Sequence, residues 1–153
     1  MSSVKASVEE VVLINKLISP YIKPRLIKIN SDRSEPVSYD KRMNMYGGDG
    51  SVYLVQMFGE GELVNNRIGA YMILPGKGDS VGMHTHGTRK EEELYVVLRG
   101  TGIYYEQLES ESDTKSYSIN PGSVTAINGD GLHGVKNTGS EPLIIFVITT
   151  NEP

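Results

Sequence analysis

Short runs of alternating apolar and polar residues, separated by turns that contain glycine or proline, fill the chain from about residue 50 onward. Alternation with a period of two is typical of strands, because successive side chains point to opposite faces of a sheet. Many short strands at intervals of about 8–12 residues indicate an all-β sandwich or barrel. The pattern predicts strands at 52–58, 67–74, 81–86, 93–99, 102–108, 115–119, 123–127, 132–137 and 143–150.

The N-terminal part has a helical pattern instead. Ser7 and Glu10 have the spacing of a capping box, and Pro20 and Pro24 end the predicted helix over 7–18. Its apolar stripe consists of Val8, Val11, Val12, Ile14, Leu17 and Ile18. We expect this helix to cover one end of the barrel or a partner subunit.

An arm and a loop are predicted between this helix and the barrel. Residues 25–29 alternate in character and predict a short strand that adds to a sheet edge, in its own subunit or in another. Residues 30–50 are polar and glycine-rich and predict a loop. The predicted organisation is a helix and arm at 1–46 and a barrel at 47–153.

Composition and charge indicate one soluble domain and exclude several classes of function. The chain has 153 residues and a formal net charge of −4, so we expect no binding to nucleic acid or to an anionic membrane. It has no cysteine, which excludes disulfides, thiolate metal ligands and cysteine nucleophiles. The longest apolar run, 143–148, is far shorter than the roughly 20 residues that span a bilayer. The N-terminus shows no signal-peptide pattern, so a cytoplasmic location is expected.

The candidate chemistry lies in the three histidines, His84, His86 and His133. Because side chains alternate along a strand, His84 and His86 point to one face if residues 81–86 are extended. On a helix they would lie about 200° apart and could not share an ion. Taken singly, each histidine is more simply a surface or core residue, so their joint spacing carries the inference.

Glu93 and His133 complete a predicted ligand set. If the strand at 93–99 pairs antiparallel with the strand of His84 and His86, Glu93 comes next to both imidazoles. His133 follows a glycine-rich turn and opens another strand. Three imidazoles and one carboxylate suit one divalent transition metal ion of the group Fe, Mn, Ni, Cu and Zn.

The spacing of these residues resembles that of the cupin superfamily. The first cupin motif has two histidines one residue apart and then a glutamate, between two glycines; it is matched by Gly78, His84, His86, Glu93 and Gly100. Six residues separate His86 from Glu93, where the motif has three or four. Counting back from Gly100 selects Glu93 as the ligand, whereas counting forward from His86 selects Glu91.

The second cupin motif keeps its spacing with two substitutions. Its positions are Gly122, Asn128, Asp130, His133 and Asn137, with Asn128 in place of a proline and Asp130 in place of a glycine. The resemblance covers roughly residues 50–150. It implies a single cupin barrel, a double-stranded β-helix or jelly roll, with a metal ion held by His84, His86, Glu93 and His133. It also implies pairing of subunits, so a homodimer is expected.

A metal-dependent enzyme of the dioxygenase type is the first function that such a site suggests. Four protein ligands leave two positions of a six-coordinate ion for a small polar metabolite that chelates, or for one ligand oxygen and O₂. Tyr95 shares a strand face with Glu93. It would line the pocket as a catalytic donor or gate, or else be an aromatic core residue.

Two other functions stay open. Residues 84–102 resemble the signature of cupin-type phosphoglucose isomerases, which implies a sugar or sugar-phosphate isomerase or epimerase. A phosphate would need a cationic clamp, and the candidates, each more simply a surface charge, are Arg67, Arg89, Lys90 and Arg99. The third alternative is a cupin that binds a small ligand without catalysis.

Overall fold

Two antiparallel sheets and one helix make up the computed structural model, which describes residues 3–27, 33–59, 62 and 66–151. The helix is α1 (Val8–Ile18). The strands are β1 (Ser3–Lys5), β2 (Ser38–Met43), β3 (Ser51–Gln56), β4 (Asn66–Leu74), β5 (Ser80–Thr85), β6 (Glu91–Arg99), β7 (Gly102–Gln107), β8 (Lys115–Ile119), β9 (Val124–Ile127), β10 (Leu132–Asn137) and β11 (Leu143–Asn151). Single 3-10 turns lie at Met45–Gly47 and Gly87–Arg89.

The predicted all-β, jelly-roll class is confirmed. The larger sheet has the order β1-β2-β3-β4-β11-β6-β9, and the smaller has the order β5-β10-β7-β8. All nine strands predicted after residue 50 are present, with bounds within two residues of the prediction. Among the described strands the two sheets do not join into one continuous hydrogen-bonded ring, so the barrel is open.

The arm differs from the prediction. The loop predicted over 30–50 is wrong at β2, which pairs antiparallel with β3 along its whole length. β1 pairs in turn with β2, so the sheet edge is formed by Ser3–Lys5. The strand predicted at 25–29 is not found at 25–27, and residues 28 and 29 lie outside the described residues. The division between residues 46 and 47 stays a prediction, although β1 and β2 extend the same sheet as the barrel strands.

Helix α1 begins at the predicted cap and packs on the outer face of the larger sheet. The Glu10 backbone N–H donates to the Ser7 hydroxyl, and the Ser7 backbone N–H donates to the Glu10 carboxylate. Ile14 contributes to an apolar cluster on that outer face, so the helix covers a sheet face and not one end of the barrel. Val8 and Val12, placed in the predicted stripe, are exposed. In the part of the chain that the structure describes, no helix is long and apolar enough to cross a membrane.

The main core lies between the two sheets. It is formed by buried residues of both sheets and of the 3-10 turn at Met45, namely Met45, Val52, Leu54, Met72, Leu74, Val81, Tyr95, Val97, Tyr104, Ile119, Val135, Leu143, Ile145 and Val147. Since β11 is buried on both faces, its residues Ile144 and Ile145 point to opposite clusters. The predicted metal ligands lie beside this core, because Tyr95 and Tyr104 both contact the ring of His133.

Candidate metal centre

Two strands of the smaller sheet bring the three histidines together. β5 pairs antiparallel with β10, and His84 lies directly opposite His133 in that pairing. His86 follows the end of β5. Its Nε2 atom lies 3.2 Å from Nε2 of His84 and 3.2 Å from Nε2 of His133. The three ring nitrogens therefore converge on one point.

Glu93 reaches this point from the opposite sheet. β6 pairs with β11 and β9, so the predicted pairing of its strand with that of His84 and His86 is wrong. Its Oε2 atom nevertheless lies 3.2 Å from Nε2 of His133 and 3.9 Å from Nε2 of His84, and it contacts Nε2 of His86. One ligand atom from each of the four residues lies within 4.8 Å of all the others. The packing of the two sheets against each other, and not the pairing of β6 with β5, brings the Glu93 carboxylate to the imidazoles.

The four donors fit a transition metal ion. Bonds from such an ion to histidine nitrogen are about 2.0–2.1 Å long, so two donors at right angles lie about 3 Å apart. The two Nε2 separations of 3.2 Å agree with this spacing. A set of three imidazoles and one carboxylate suits Fe, Mn, Ni, Cu or Zn. His84, His86, Glu93 and His133 can therefore hold one such ion.

Burial and mutual contact determine the charges of the ligands, all of which are less than 8% exposed. Burial disfavours charge on Glu93, but hydrogen bonds from His133, His84 and His86 outweigh it and hold the pKa of Glu93 well below its usual value. Burial also opposes charge on His86, yet its contacts with Glu93 and Glu91 raise the pKa of His86. Burial prevails at His133 and lowers its pKa. A charged carboxylate and a neutral His133 are the forms that bind metal.

The outer nitrogens of two ligand histidines have neutral partners. Nδ1 of His84 lies 2.8 Å from the carbonyl oxygen of Gly82. Nδ1 of His133 lies 3.0 Å from the hydroxyl oxygen of Tyr104. Contacts of this kind fix the orientation and the tautomer of a ligand histidine, so that Nε2 is left for the metal.

The two glutamates left open by the motif spacing occupy different positions. Oε2 of Glu93 faces the converging Nε2 atoms. Oε2 of Glu91 lies 3.3 Å from Nδ1 of His86, on the other side of that ring, and accepts a hydrogen bond from Nε of Arg89 at 3.0 Å. Counting back from Gly100 thus selects the carboxylate that lies in the cluster.

A cavity of about 330 Å³ opens at the cluster. Its apolar wall is formed by Met45, Leu54, Ile68, Met72 and Val147. Its polar wall is formed by Arg42, Tyr46, Arg89 and Glu91, together with His84, His86 and Glu93. A cavity of this size and lining accommodates one small, polar molecule beside the four donors.

The sequence did not predict that residues 42–46 contribute to the wall of the cavity. Arg42 lies on β2, and Met45 and Tyr46 lie in the following 3-10 turn, all within the region predicted as loop. The glycine cluster at 47–50 signals a turn here. Nothing in that signal shows which neighbouring side chains face a site.

Tyr95, the predicted catalytic residue, lies in the core. Its ring stacks on that of His133, with centroids 5.0 Å apart and planes inclined by 24°. It is 1% exposed, and burial raises its pKa well above the usual value. Tyr95 is absent from the described residues that line the cavity. A role as donor or gate stays a prediction, and the ring contacts that the structure shows are with the candidate ligand His133 and with Tyr104.

Comparisons with known proteins point to one family. The family model for the cupin domain matches residues 70–149, which include all four candidate ligands. The oxalate-binding protein of Thermotoga maritima is 31% identical over 117 residues, which make up 76% of this chain and 89% of that protein. The crystal structure of a predicted oxalate decarboxylase from Thermotoga maritima is 27% identical, with a TM-score of 0.65 over 82% of this chain and 99% of that chain.

A more distant structure shares the fold. The Drosophila melanogaster CENP-C cupin domain is 12% identical, with a TM-score of 0.63 over 96% of this chain and 99% of that chain. The family match spans more than half of the 153 residues. The chain belongs to the cupin domain family.

Proposed function

We propose that this cupin binds a divalent transition metal ion and, at that ion, a small chelating dicarboxylate of the oxalate type. The observation that carries the proposal is the convergence of His84, His86, Glu93 and His133 on one point at the wall of a small cavity. A bound ion would supply a Lewis acid with coordination positions open to ligand oxygens. The oxalate-binding protein of Thermotoga maritima supports the choice of ligand class.

The charge of the cavity wall supports an anionic ligand. Within the described residues the Arg42 side chain makes no hydrogen bond or ion pair, and its Nε atom is buried without a partner. A buried guanidinium nitrogen without an acceptor is costly, and a ligand carboxylate would satisfy it. Arg89, the other cation at the wall, is already paired with Glu91.

Turnover by dioxygenase-type chemistry is the enzymatic form of this proposal. The ligand set leaves room for both a substrate oxygen and O₂, and the apolar wall at Leu54, Met72 and Val147 limits access of water. O₂ consumption that requires both metal and substrate, followed with an oxygen electrode, would support catalysis. Oxalate binding without any turnover would leave the chain as a binding protein.

The isomerase alternative has less support. Of the four cations considered for a phosphate clamp, Arg89 lines the cavity and pairs with Glu91. Lys90 is exposed and is not one of the described residues that line the cavity. Arg99 lies six residues along β6 from Glu93 and pairs with Glu141 at 2.8 Å. The side chain of Arg67 lies outside the described ones. The resemblance of residues 84–102 is therefore the main argument for a sugar-phosphate substrate.

Calorimetry with oxalate tests the proposal. Protein stripped of metal and reloaded with Mn²⁺ is titrated with oxalate, and acetate and glucose 6-phosphate serve as control ligands. We expect oxalate binding that requires the metal and exceeds acetate binding. Equal oxalate binding by metal-free and reloaded protein, or none by either, would overturn it. Preferential binding of glucose 6-phosphate would favour the isomerase.

We also propose that the chain forms a homodimer through its N-terminal elements. The outer side of α1 exposes Val8, Val12 and Leu13, at 77%, 61% and 63%. Among the described strands, β1 lies at the edge of the larger sheet, where its outer backbone groups are open to pairing. Light scattering should give twice the chain mass for the wild type and less for a Val8→Glu/Val12→Glu variant. A monomeric wild type would contradict this proposal.

A further inference from the structure

We infer that Glu91 is a positioning residue of the metal site, which acts through Nδ1 of His86 and favours the tautomer whose Nε2 can bind the ion. The inference rests on the metal site of the proposed function and does not depend on the substrate. It assigns a role to a buried carboxylate that the four-ligand set leaves unused. It also assigns a role to the additional residues between His86 and Glu93.

The lengthened spacing of the first motif forms a defined turn. The 3-10 turn Gly87–Arg89 follows His86, and Lys90 closes it with a left-handed backbone at φ 52°. The backbone N–H groups of Arg89 and Glu91 both donate to the carbonyl oxygen of His86, at 3.1 and 3.2 Å. The chain therefore returns to His86 at the first residue of β6, and Glu91 lies behind the imidazole.

The side chain of Glu91 is placed to interact with that imidazole. It is 4% exposed, and its Oε2 atom lies 3.3 Å from Nδ1 of His86. Nε of Arg89 donates to the same Oε2 atom at 3.0 Å. A buried carboxylate is stable only when it is paired, and Arg89 is the ion-pair partner of Glu91 at this position. Both residues lie between His86 and Glu93, in the lengthened part of the motif.

The contacts of Nδ1 are consistent with metal binding in one tautomer only. A neutral imidazole carries one N–H, so a lone pair on Nε2 of His86 places the hydrogen on Nδ1. Nδ1 is then a donor, and Oε2 of Glu91 accepts. Nη2 of Arg89 also lies 3.0 Å from Nδ1, but a guanidinium only donates. It can bond only to the opposite tautomer, whose Nε2 carries the hydrogen and binds no metal.

The neighbouring Glu92 provides a matched control. It has the same charge and lies on the same strand, but its side chain leaves the opposite face of β6, because side chains alternate along a strand. Replacement of either glutamate by glutamine or alanine removes one negative charge near the site. Only a replacement of Glu91 alters the hydrogen bond to His86.

Zn²⁺ affinity, measured by competition with a chromophoric chelator, tests the inference. We expect Glu91→Ala to weaken Zn²⁺ binding about 10- to 100-fold, the range found when an outer partner of a ligand histidine is removed. Glu91→Gln, which keeps the shape of the side chain, should also weaken binding, whereas Glu92→Gln should change it less than twofold. Thermal unfolding of the metal-free variants reports whether each is folded.

A second measurement separates positioning from general damage to the fold. In Zn²⁺-loaded protein with ¹⁵N-labelled histidine, the Nδ1 proton of His86 should be visible by NMR in the wild type and in Glu92→Gln. In Glu91→Ala, which has no acceptor at this position, it should be lost to exchange with solvent. Wild-type Zn²⁺ affinity in both Glu91 variants would overturn the role of Glu91 and leave the metal site intact. A wild type that binds no Zn²⁺ would overturn the metal site and this role together.

Discussion

Tyr46 stacks face to face on His84, with ring centroids 4.0 Å apart and planes inclined by 11°. Tyr46 is held there by its backbone, which adopts a left-handed conformation at φ 51° and approaches β5 closely. A Cβ atom at Gly82 would lie 2.0 Å from the carbonyl oxygen of Tyr46, so only glycine allows this approach. One wall of the cavity and one candidate metal ligand are thereby coupled to the turn after β2.

Replacement of Tyr46 by alanine should weaken the metal site. Stacked aromatic pairs contribute about 0.5–1.5 kcal/mol, so Zn²⁺ affinity should fall about 2- to 12-fold. Tyr46→Phe keeps the ring and should keep the affinity. Equal affinities of the alanine and phenylalanine variants, measured by chelator competition, would show that the stack does not hold His84.

Arg42 should control the affinity for anionic ligands. A charge-assisted hydrogen bond contributes about 1.5–3 kcal/mol, so Arg42→Gln should weaken oxalate binding to the Mn²⁺-loaded protein by about 10- to 100-fold. Arg99 lies about 20 Å from Glu93 along β6. Arg99→Gln therefore removes an equal charge away from the site and should leave binding unchanged. Calorimetry compares the two variants. If Arg42→Gln binds oxalate as tightly as Arg99→Gln, the ligand carboxylate lies elsewhere.

Asn137 should be important for stability and not for metal binding. Its amide donates to the carbonyl oxygens of Leu74 and Glu141, each at 2.9 Å, and its oxygen accepts from the Gly139 N–H at 2.9 Å. Asn137→Ala leaves these backbone groups without their partner and should lower the free energy of unfolding by about 2–4 kcal/mol. Urea unfolding of metal-free protein measures this loss.

The exposed turn residue Asn120 serves as the control for Asn137. Asn120→Ala should unfold at nearly the wild-type urea concentration, because no hydrogen bond of its side chain is found among the described residues. Comparable destabilisation by both substitutions would contradict the structural role given to the last residue of the second motif.

As the solution is acidified, metal binding should begin to weaken at a pH above the usual pKa of histidine. The metal requires a neutral His86, and contacts with Glu93 and Glu91 raise its pKa above the usual 6.5 against the effect of burial. Protonation of His86 therefore competes with the metal as the pH falls toward and through that raised pKa. The Zn²⁺ dissociation constant between pH 8 and pH 5.5 should increase on acidification. A constant value down to pH 6 would contradict this electrostatic account.

The barrel strands could be predicted because local sequence determines them. The turns at Pro75–Gly76, Gly100 and Pro121–Gly122 interrupt the apolar runs at the places where the strands end. β2 could not be predicted in this way. Its sequence from Ser38 to Met43 is polar, because its inner face carries Arg42 at the mouth of a cavity, so the hydrophobic pattern of a strand is missing.

The convergence of the four candidate ligands could be predicted, whereas their surroundings could not. The spacing around His84, His86 and His133 follows from strand geometry and motif length. The pairing of β5 with β10, and the approach of Glu93 from the other sheet, depend on contacts between distant parts of the chain. For the same reason the stacking of Tyr46 on His84 could not be predicted from the sequence.

The metal content of protein purified without added metal or a chelating tag tests the central claim most directly. Elemental analysis of the wild type should show close to one equivalent of Fe, Mn, Ni, Cu or Zn per chain, and its identity would indicate whether redox chemistry is available. A folded His84→Ala/His133→Ala variant should contain almost none. A wild type that neither contains metal nor takes it up on titration, or a double variant that retains it, would contradict the assignment of His84, His86, Glu93 and His133 as the metal site.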